Sequence, residues 1–229
     1  MRILGLSGSL RRDSYNTRLL YGTSGLLPPG VELDVFEELA AIPPYNEDHE
    51  QLETPPAVAA LKAAIAEADA LLVVTPEYNG SLPGQLKNAL DWVSRPVATT
   101  PLRGKPAAVL GVSTGLFGAV WAQAETRKVL STIGARVVDR EIPIPQADES
   151  LGADGLPLDD DARELLVILV VGRDRGELVE QLELNPLRHE LAHTAQQASV
   201  VGVPPQASRD AEDPHGPTPA SRARVRPVA

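Results

Sequence analysis

Thr75-Pro76-Glu77-Tyr78-Asn79-Gly80-Ser81-Leu82-Pro83-Gly84 is the stretch on which the reading of this chain turns. It follows the apolar run Ala70-Leu71-Leu72-Val73-Val74 and precedes a helix-like segment over residues 85–94. Two prolines and two glycines predict an exposed loop at the carboxyl end of a buried strand. In open α/β sheets that edge is where ligands bind. An upstream turn, Gly8-Ser9-Leu10-Arg11-Arg12-Asp13-Ser14-Tyr15-Asn16, has the same character, with hydroxyls, an amide and a guanidinium just ahead of a helix.

Working outward, strand and helix alternate. Residues 3–6 read as a first strand and 16–27 as a helix, with Gly22 and Gly25 weakening its end by about 1 kcal/mol each relative to Ala. Val31-Glu32-Leu33-Asp34-Val35 alternates with period two and predicts an edge-type second strand. Thr54 is placed to cap a helix whose first turn takes Pro55 and Pro56. In that helix Val58, Leu61, Ile65 and Ala68 form one apolar stripe. Residues 70–75 form a third strand, apolar throughout as a strand covered on both faces should be. A fourth strand is predicted over 107–113, a helix from Ala119 to Gly134, and a fifth strand over 136–138. This is the pattern of a doubly wound parallel sheet with helices on both faces. Loops after the first, third and fourth strands converge on one edge.

Composition bounds the function. The 229 residues contain no cysteine, which excludes disulfides, thiolate catalysis and Cys-type zinc sites. The formal charge is −10, and residues 19–61 carry eight carboxylates without a Lys or Arg, a face that would repel nucleic acid. The chain opens directly on a strand and its longest apolar run is residues 165–171, so neither a leader nor a membrane span is expected. A cytoplasmic protein is the plain reading. Residues 1–170 are expected to form one domain. Residues 171–198 are a divergent extension open to a helical reading. Residues 199–229, rich in Pro, Ala, Arg and Asp, are expected to be disordered.

The first loop is neither Gly-x-Gly-x-x-Gly nor a Walker A sequence. Its Ser9, Ser14 and Thr17 hydroxyls, the Asn16 amide, the Arg11 guanidinium and the free N–H groups of the helix start, Tyr15 included, make a phosphate cradle, or else a polar turn with a helix cap. In the second loop Tyr78 offers a ring for stacking, Asn79 a polar partner and Gly80 an open backbone, the alternative being a stiff turn with an exposed tyrosine. Ser113-Thr114-Gly115-Leu116-Phe117-Gly118 is a third polar, glycine-bearing turn. A phosphate cradle and a ring-stacking loop in one chain suggest flavin mononucleotide.

The pairing Gly8-Ser9-Leu10-Arg11-x-x-Ser14-x-Asn16 with Pro76-Glu77-Tyr78-Asn79-Gly80-Ser81-x-Pro83-Gly84-x-Leu86-Lys87-Asn88-Ala89-x-Asp91-Trp92 resembles the NAD(P)H-dependent FMN reductases, which include quinone, azo-dye and chromate reductases. The resemblance covers about residues 1–160. It implies a flavodoxin-like five-stranded sheet of order 2-1-3-4-5. It also implies FMN phosphate on Ser9, Arg11, Ser14 and Asn16, and the isoalloxazine against Pro76, Glu77, Tyr78 and Asn79, near Ser113, Thr114 and Gly115. The implied activity is hydride transfer from NADPH or NADH to FMN, then two-electron reduction of a small-molecule acceptor (a quinone, azo compound, metal oxyanion or free flavin) in a ping-pong cycle. No catalytic side chain is required. A non-enzymatic electron carrier on the same fold is the alternative. The resemblance further implies a homodimer or homotetramer, with the Trp92 helix as a candidate contact and a core-covering tryptophan as the other reading. The segment His189-Glu190-Leu191-Ala192-His193 matches H-E-x-x-H formally. Gln196 and Ser199 stand where the extended motif needs Gly and His, so no metal site is expected.

Overall fold

Along β3 (Ala70–Thr75) alternate side chains enter two different cores: Leu71 and Val73 one, Leu72 and Val74 the other. A strand with both faces buried belongs in the middle of a sheet. Here it pairs in parallel with β1 (Arg2–Ser7) on one side and β4 (Pro106–Val112) on the other. Edge strand β2 (Glu32–Phe36) pairs with β1, so the order β2-β1-β3-β4-β5 is the one expected. The computed structural model describes residues 1–50 and 52–171, the last five by backbone alone. The expected extension, the expected disordered tail and the His189–Glu190–Leu191–Ala192–His193 segment lie outside the described residues.

On one face α2 (Pro56–Glu67), α3 (Gly84–Val93) and α4 (Val120–Ile133) contribute Val58, Leu61, Ile65, Leu86, Leu90 and Leu130. The other face takes Leu19 and Leu20 of α1 (Tyr15–Gly22) and Leu166 of the closing helix.

Three local expectations need correction. The first helix stops at Gly22 rather than running to 27, and a 3-10 turn follows over Thr23–Leu26. A Cβ at Gly22 would stand 2.7 Å from the Asp154 carbonyl oxygen, and the Thr23 hydroxyl turns back to the Leu20 carbonyl (2.7 Å), consuming an acceptor at the helix end. Thr54 caps nothing: α2 starts at Pro56 after Pro55, with no side-chain cap. The fifth strand is shorter than expected, β5 (Arg136–Val137), and a sixth, β6 (Pro143–Ile144), carries on beside β4. The first half of β4 is served by β5 and its far end, Gly111 and Val112, by β6. Trp92 is 2 % exposed. Its indole donates to the Pro43 carbonyl (2.8 Å) and its ring meets Tyr45 edge-on, so it covers the core of its own protomer. After β6 come the short α5 (Ala147–Ser150) and the closing α6 (Asp160–Val171), capped by the Asp159 carboxylate on the Ala162 N–H.

Candidate flavin site

Register alone brings the three loops together, because Ser7 lies beside Val74 and Thr75 beside Gly111 at the carboxyl ends of β1, β3 and β4. Hydrogen bonds then interlock them. Gly8 N–H donates to the Val74 carbonyl (2.8 Å), and a Cβ at Gly8 would meet Pro76 at 3.2 Å, so the first loop lies against the second. The buried Asn16 amide donates to the Val112 carbonyl (3.1 Å) and accepts from the Val112 N–H (3.3 Å), tying α1 to the end of β4.

Ser14 caps α1, accepting from the Asn16 N–H (3.2 Å). Thr17 shares a hydrogen with Ser7 at 2.8 Å. Ser9 is 9 % exposed, and its hydroxyl accepts only a long bond from the Arg11 N–H (3.4 Å). The Tyr15 and Thr17 N–H groups open the helix without a partner among the described residues, as first-turn donors do. Arg11 is exposed and makes no ion pair among those residues. A positive head, free N–H donors and a nearly buried hydroxyl at one helix start fit an anionic group such as a phosphate.

The second loop is built around a two-residue hairpin turn. Tyr78 and Ser81 exchange backbone hydrogen bonds (3.0 and 3.1 Å). Between them Asn79 (φ 54°) and Gly80 (φ 72°) are both left-handed, the combination that Asn-Gly turns of type I′ adopt. Asn79 is thus first a turn residue. Tyr78, 47 % exposed, faces Leu10 and Arg11 of the first loop across a cavity of about 270 Å³ that Gly8, Pro83, Gly84 and Gln85 complete. An exposed ring edge next to a free guanidinium fits a planar aromatic with an anionic tail. A second cavity, about 420 Å³, runs along α1 from Arg12 and Ser14 to Tyr21 and the turn 153–155.

Glu77 does not face the open edge with its carboxylate. It accepts from the N–H groups of Trp121 (3.0 Å) and Ala122 (3.1 Å) at the start of α4. In the third loop the Ser113 hydroxyl accepts from the Gly115 N–H (2.9 Å) while Thr114 and Gly115 stay exposed. Backbone bonds from Ser113 to Ile144 and from Gln146 and Ala147 to Gly115 and Ser113 fasten this loop to β6 and α5. Two residues that sequence reading passed over complete the scaffold. Buried Gln123 bridges the Gly118 carbonyl and both backbone groups of Ile142. Glu125 accepts from the Ser81 hydroxyl and the Leu82 N–H (3.3 Å). Their signal was weak: polar positions on a helix read as solvent-facing unless a partner is known. Among the described residues no helix is long and apolar enough to cross a membrane, and no three His, Cys, Asp or Glu side chains gather to hold a metal.

A 2-1-3-4-5 parallel sheet with three interlocked loops at its carboxyl edge, one offering an anion cradle and one an exposed ring, defines a flavodoxin-like flavoprotein of the oxidoreductase class. Within it the chain belongs to the NADPH-dependent FMN reductase family, which matches residues 1–149. It is therefore an enzyme, an FMN-dependent NAD(P)H oxidoreductase acting on a small-molecule acceptor. Among its relatives, an NAD(P)H-dependent FMN reductase of Pseudomonas aeruginosa is 46 % identical over 167 residues, covering 72 % of this chain and 89 % of that one. A 2-hydroxy-1,4-benzoquinone reductase of a Burkholderia species is 38 % identical over 167 residues, covering 72 % and 90 %. Among solved structures, the flavoenzyme NAD(P)H:(acceptor) oxidoreductase FerB from Paracoccus denitrificans superposes with a TM-score of 0.66 at 35 % identity, covering 75 % of this chain and 93 % of that one.

Proposed function

We propose that the protein reduces quinones with electrons from NADPH or NADH, holding FMN across its three-loop edge. Bound FMN supplies the relay between a two-electron donor and the acceptor. The observation that carries the reading is a cavity lined both by Arg11 of the first loop, which leads into the open start of α1, and by Tyr78 of the second. Arg11 and the unpaired N–H groups of Tyr15 and Thr17 take the phosphate, with the Ser9 and Ser14 hydroxyls beside it. Asn16 contributes by position, because its amide is engaged by Val112. Pro76, Tyr78, Asn79 and Gly80 would hold the ring, together with Thr114 and Gly115, whose turn Ser113 braces. Glu77 holds the loop through α4. Quinones are favoured as acceptors because quinone-type reductases recur among the relatives.

In this reading the enzyme works in the cytoplasm as a homodimer or homotetramer. Leu116 and Phe117 of the third loop and Trp121 of α4 (74 %, 46 % and 38 % exposed) form an apolar surface that favours contact between copies. Light scattering on the purified chain tests that part.

The function is tested by anaerobic NADPH titration of the FMN-saturated protein, followed through the flavin absorbance. Complete bleaching at one equivalent, with reoxidation by added benzoquinone, is expected. Persistent yellow colour would refute the reductase reading, and a stable one-electron flavin radical would point to a carrier instead.

A further inference from the structure

The two carboxylates between the second loop and α4 point in opposite directions along one contact. Glu77, in the loop, accepts from the helix through the N–H groups of Trp121 and Ala122. Glu125, in the helix, accepts from the loop through the Ser81 hydroxyl and the Leu82 N–H. The residues between the two anchors are the Tyr78–Ser81 hairpin turn. Residue 119, where α4 would ordinarily find its cap, is an alanine at φ 61° with no side-chain bond to offer. Glu77 therefore supplies the missing helix cap from a different loop, and the helix N-terminus favours a negative partner. Each carboxylate accepts from two donors, which fixes its direction as well as its distance.

The geometry points to Glu77 and Glu125 as positioning residues of the flavin site. Neither touches the acceptor; together they set where Tyr78, Asn79 and Gly80 stand relative to the first loop. The hairpin is short, its turn is exposed, and its own ladder consists of a single pair of bonds; the core holds its flanks through Pro76, Leu82 and Pro83, and the two carboxylates tie it to α4. The role rests on the flavin reading above, and it makes a claim about the chain itself that needs no bound flavin.

The test compares Glu77→Ala, Glu77→Gln, Glu125→Ala and the double alanine variant in the full-length protein. In the flavin-free protein, amide hydrogen exchange at Tyr78, Ser81 and Leu82 is expected to speed up roughly tenfold in either alanine variant, the loss that a charge-assisted hydrogen bond carries. Amides of β1, β3 and β4 should stay unchanged. With FMN added, dissociation constants from flavin fluorescence should weaken roughly tenfold in each single variant. The double variant should fall short of the product of the two, because both act on one loop. Glu77→Gln keeps an acceptor for both N–H groups and should recover part of the effect. Exchange rates unchanged in both alanine variants would overturn the proposal whatever the protein binds. Faster exchange throughout the sheet in Glu77→Ala, with none specific to the loop in Glu125→Ala, would also overturn it, by reducing Glu77 to a helix cap. A wild-type protein that fails to take up FMN would refute the flavin reading on its own, and the exchange data would still decide the clamp.

Discussion

Replacing Gly118 by alanine should damage this protein far more than replacing Gly80, although both glycines are left-handed. Gly118 has φ 55° and Gly80 φ 72°. A left-handed alanine costs about 1–2 kcal/mol at either position. The surroundings differ. Nothing lies within 4 Å of a Cβ added at Gly80. A Cβ at Gly118 would fall 2.4 Å from the Ile144 nitrogen and 2.8 Å from the Pro143 carbonyl carbon. These are backbone atoms of β6, which cannot yield by a rotamer change, so overpacking adds roughly 1–3 kcal/mol. The sum for Gly118→Ala is about 2–5 kcal/mol against a total stability of roughly 5–15 kcal/mol. At roughly 2–4 °C per kcal/mol the melting temperature should fall by about 4–20 °C, and by only roughly 2–8 °C for Gly80→Ala. Differential scanning calorimetry at matched protein concentration gives both numbers. Because β6 also holds the third loop, Gly118→Ala should lose FMN affinity even well below its melting point. Equal losses for the two variants would refute the reasoning, since the contact with β6 would then be absent in solution.

Removing Asn16 strands both backbone groups of Val112 in a buried place, so Asn16→Ala should lower stability by about 2–4 kcal/mol in urea titrations. Arg11→Ala should leave the melting temperature of the flavin-free protein in place and weaken FMN binding on the order of tenfold, with a shallower salt dependence, in fluorescence titrations. The Asp154 carboxyl is held below its ordinary 3.8, first by the Leu156 N–H and also by the Arg163 guanidinium. Its stabilising effect should be complete only above about pH 5 and disappear as the pH falls through the lowered value, so the melting-temperature gap between wild type and Asp154→Asn should close on acidification.

Much of this was legible in the chain because the signals were local. The unbroken apolar run Ala70-Leu71-Leu72-Val73-Val74 is what a strand packed on both sides must look like, and it placed the sheet and its loops. A helix cap is one of the two readings that the first loop's polar residues allow, and Ser14 supplies it. What escaped depended on distant partners. Gly22 ends α1 because the backbone of residues 154 and 155 lies against it, a fact no window around Gly22 contains. β6 is two residues with no periodicity to detect. For Asn79 and Gly80 the residue types leave a ligand-facing loop and a stiff turn both open, and their left-handed backbone shows the turn. Glu77, Gln123 and Glu125 are polar residues whose partners sit some twenty to forty-five positions away, and a sequence gives them no address.

The split border of the sheet has a consequence for how the protein behaves when crowded. Beyond β4 a foreign strand would find two pieces of two residues each, separated by residues 138–142, which belong to no strand. At the opposite border β2 presents Glu32 and Asp34. Short, interrupted or charged borders are poor templates for strand addition. Concentrated solutions should therefore resist fibre formation, and whatever assemblies the protein forms will be built from its helices and loops.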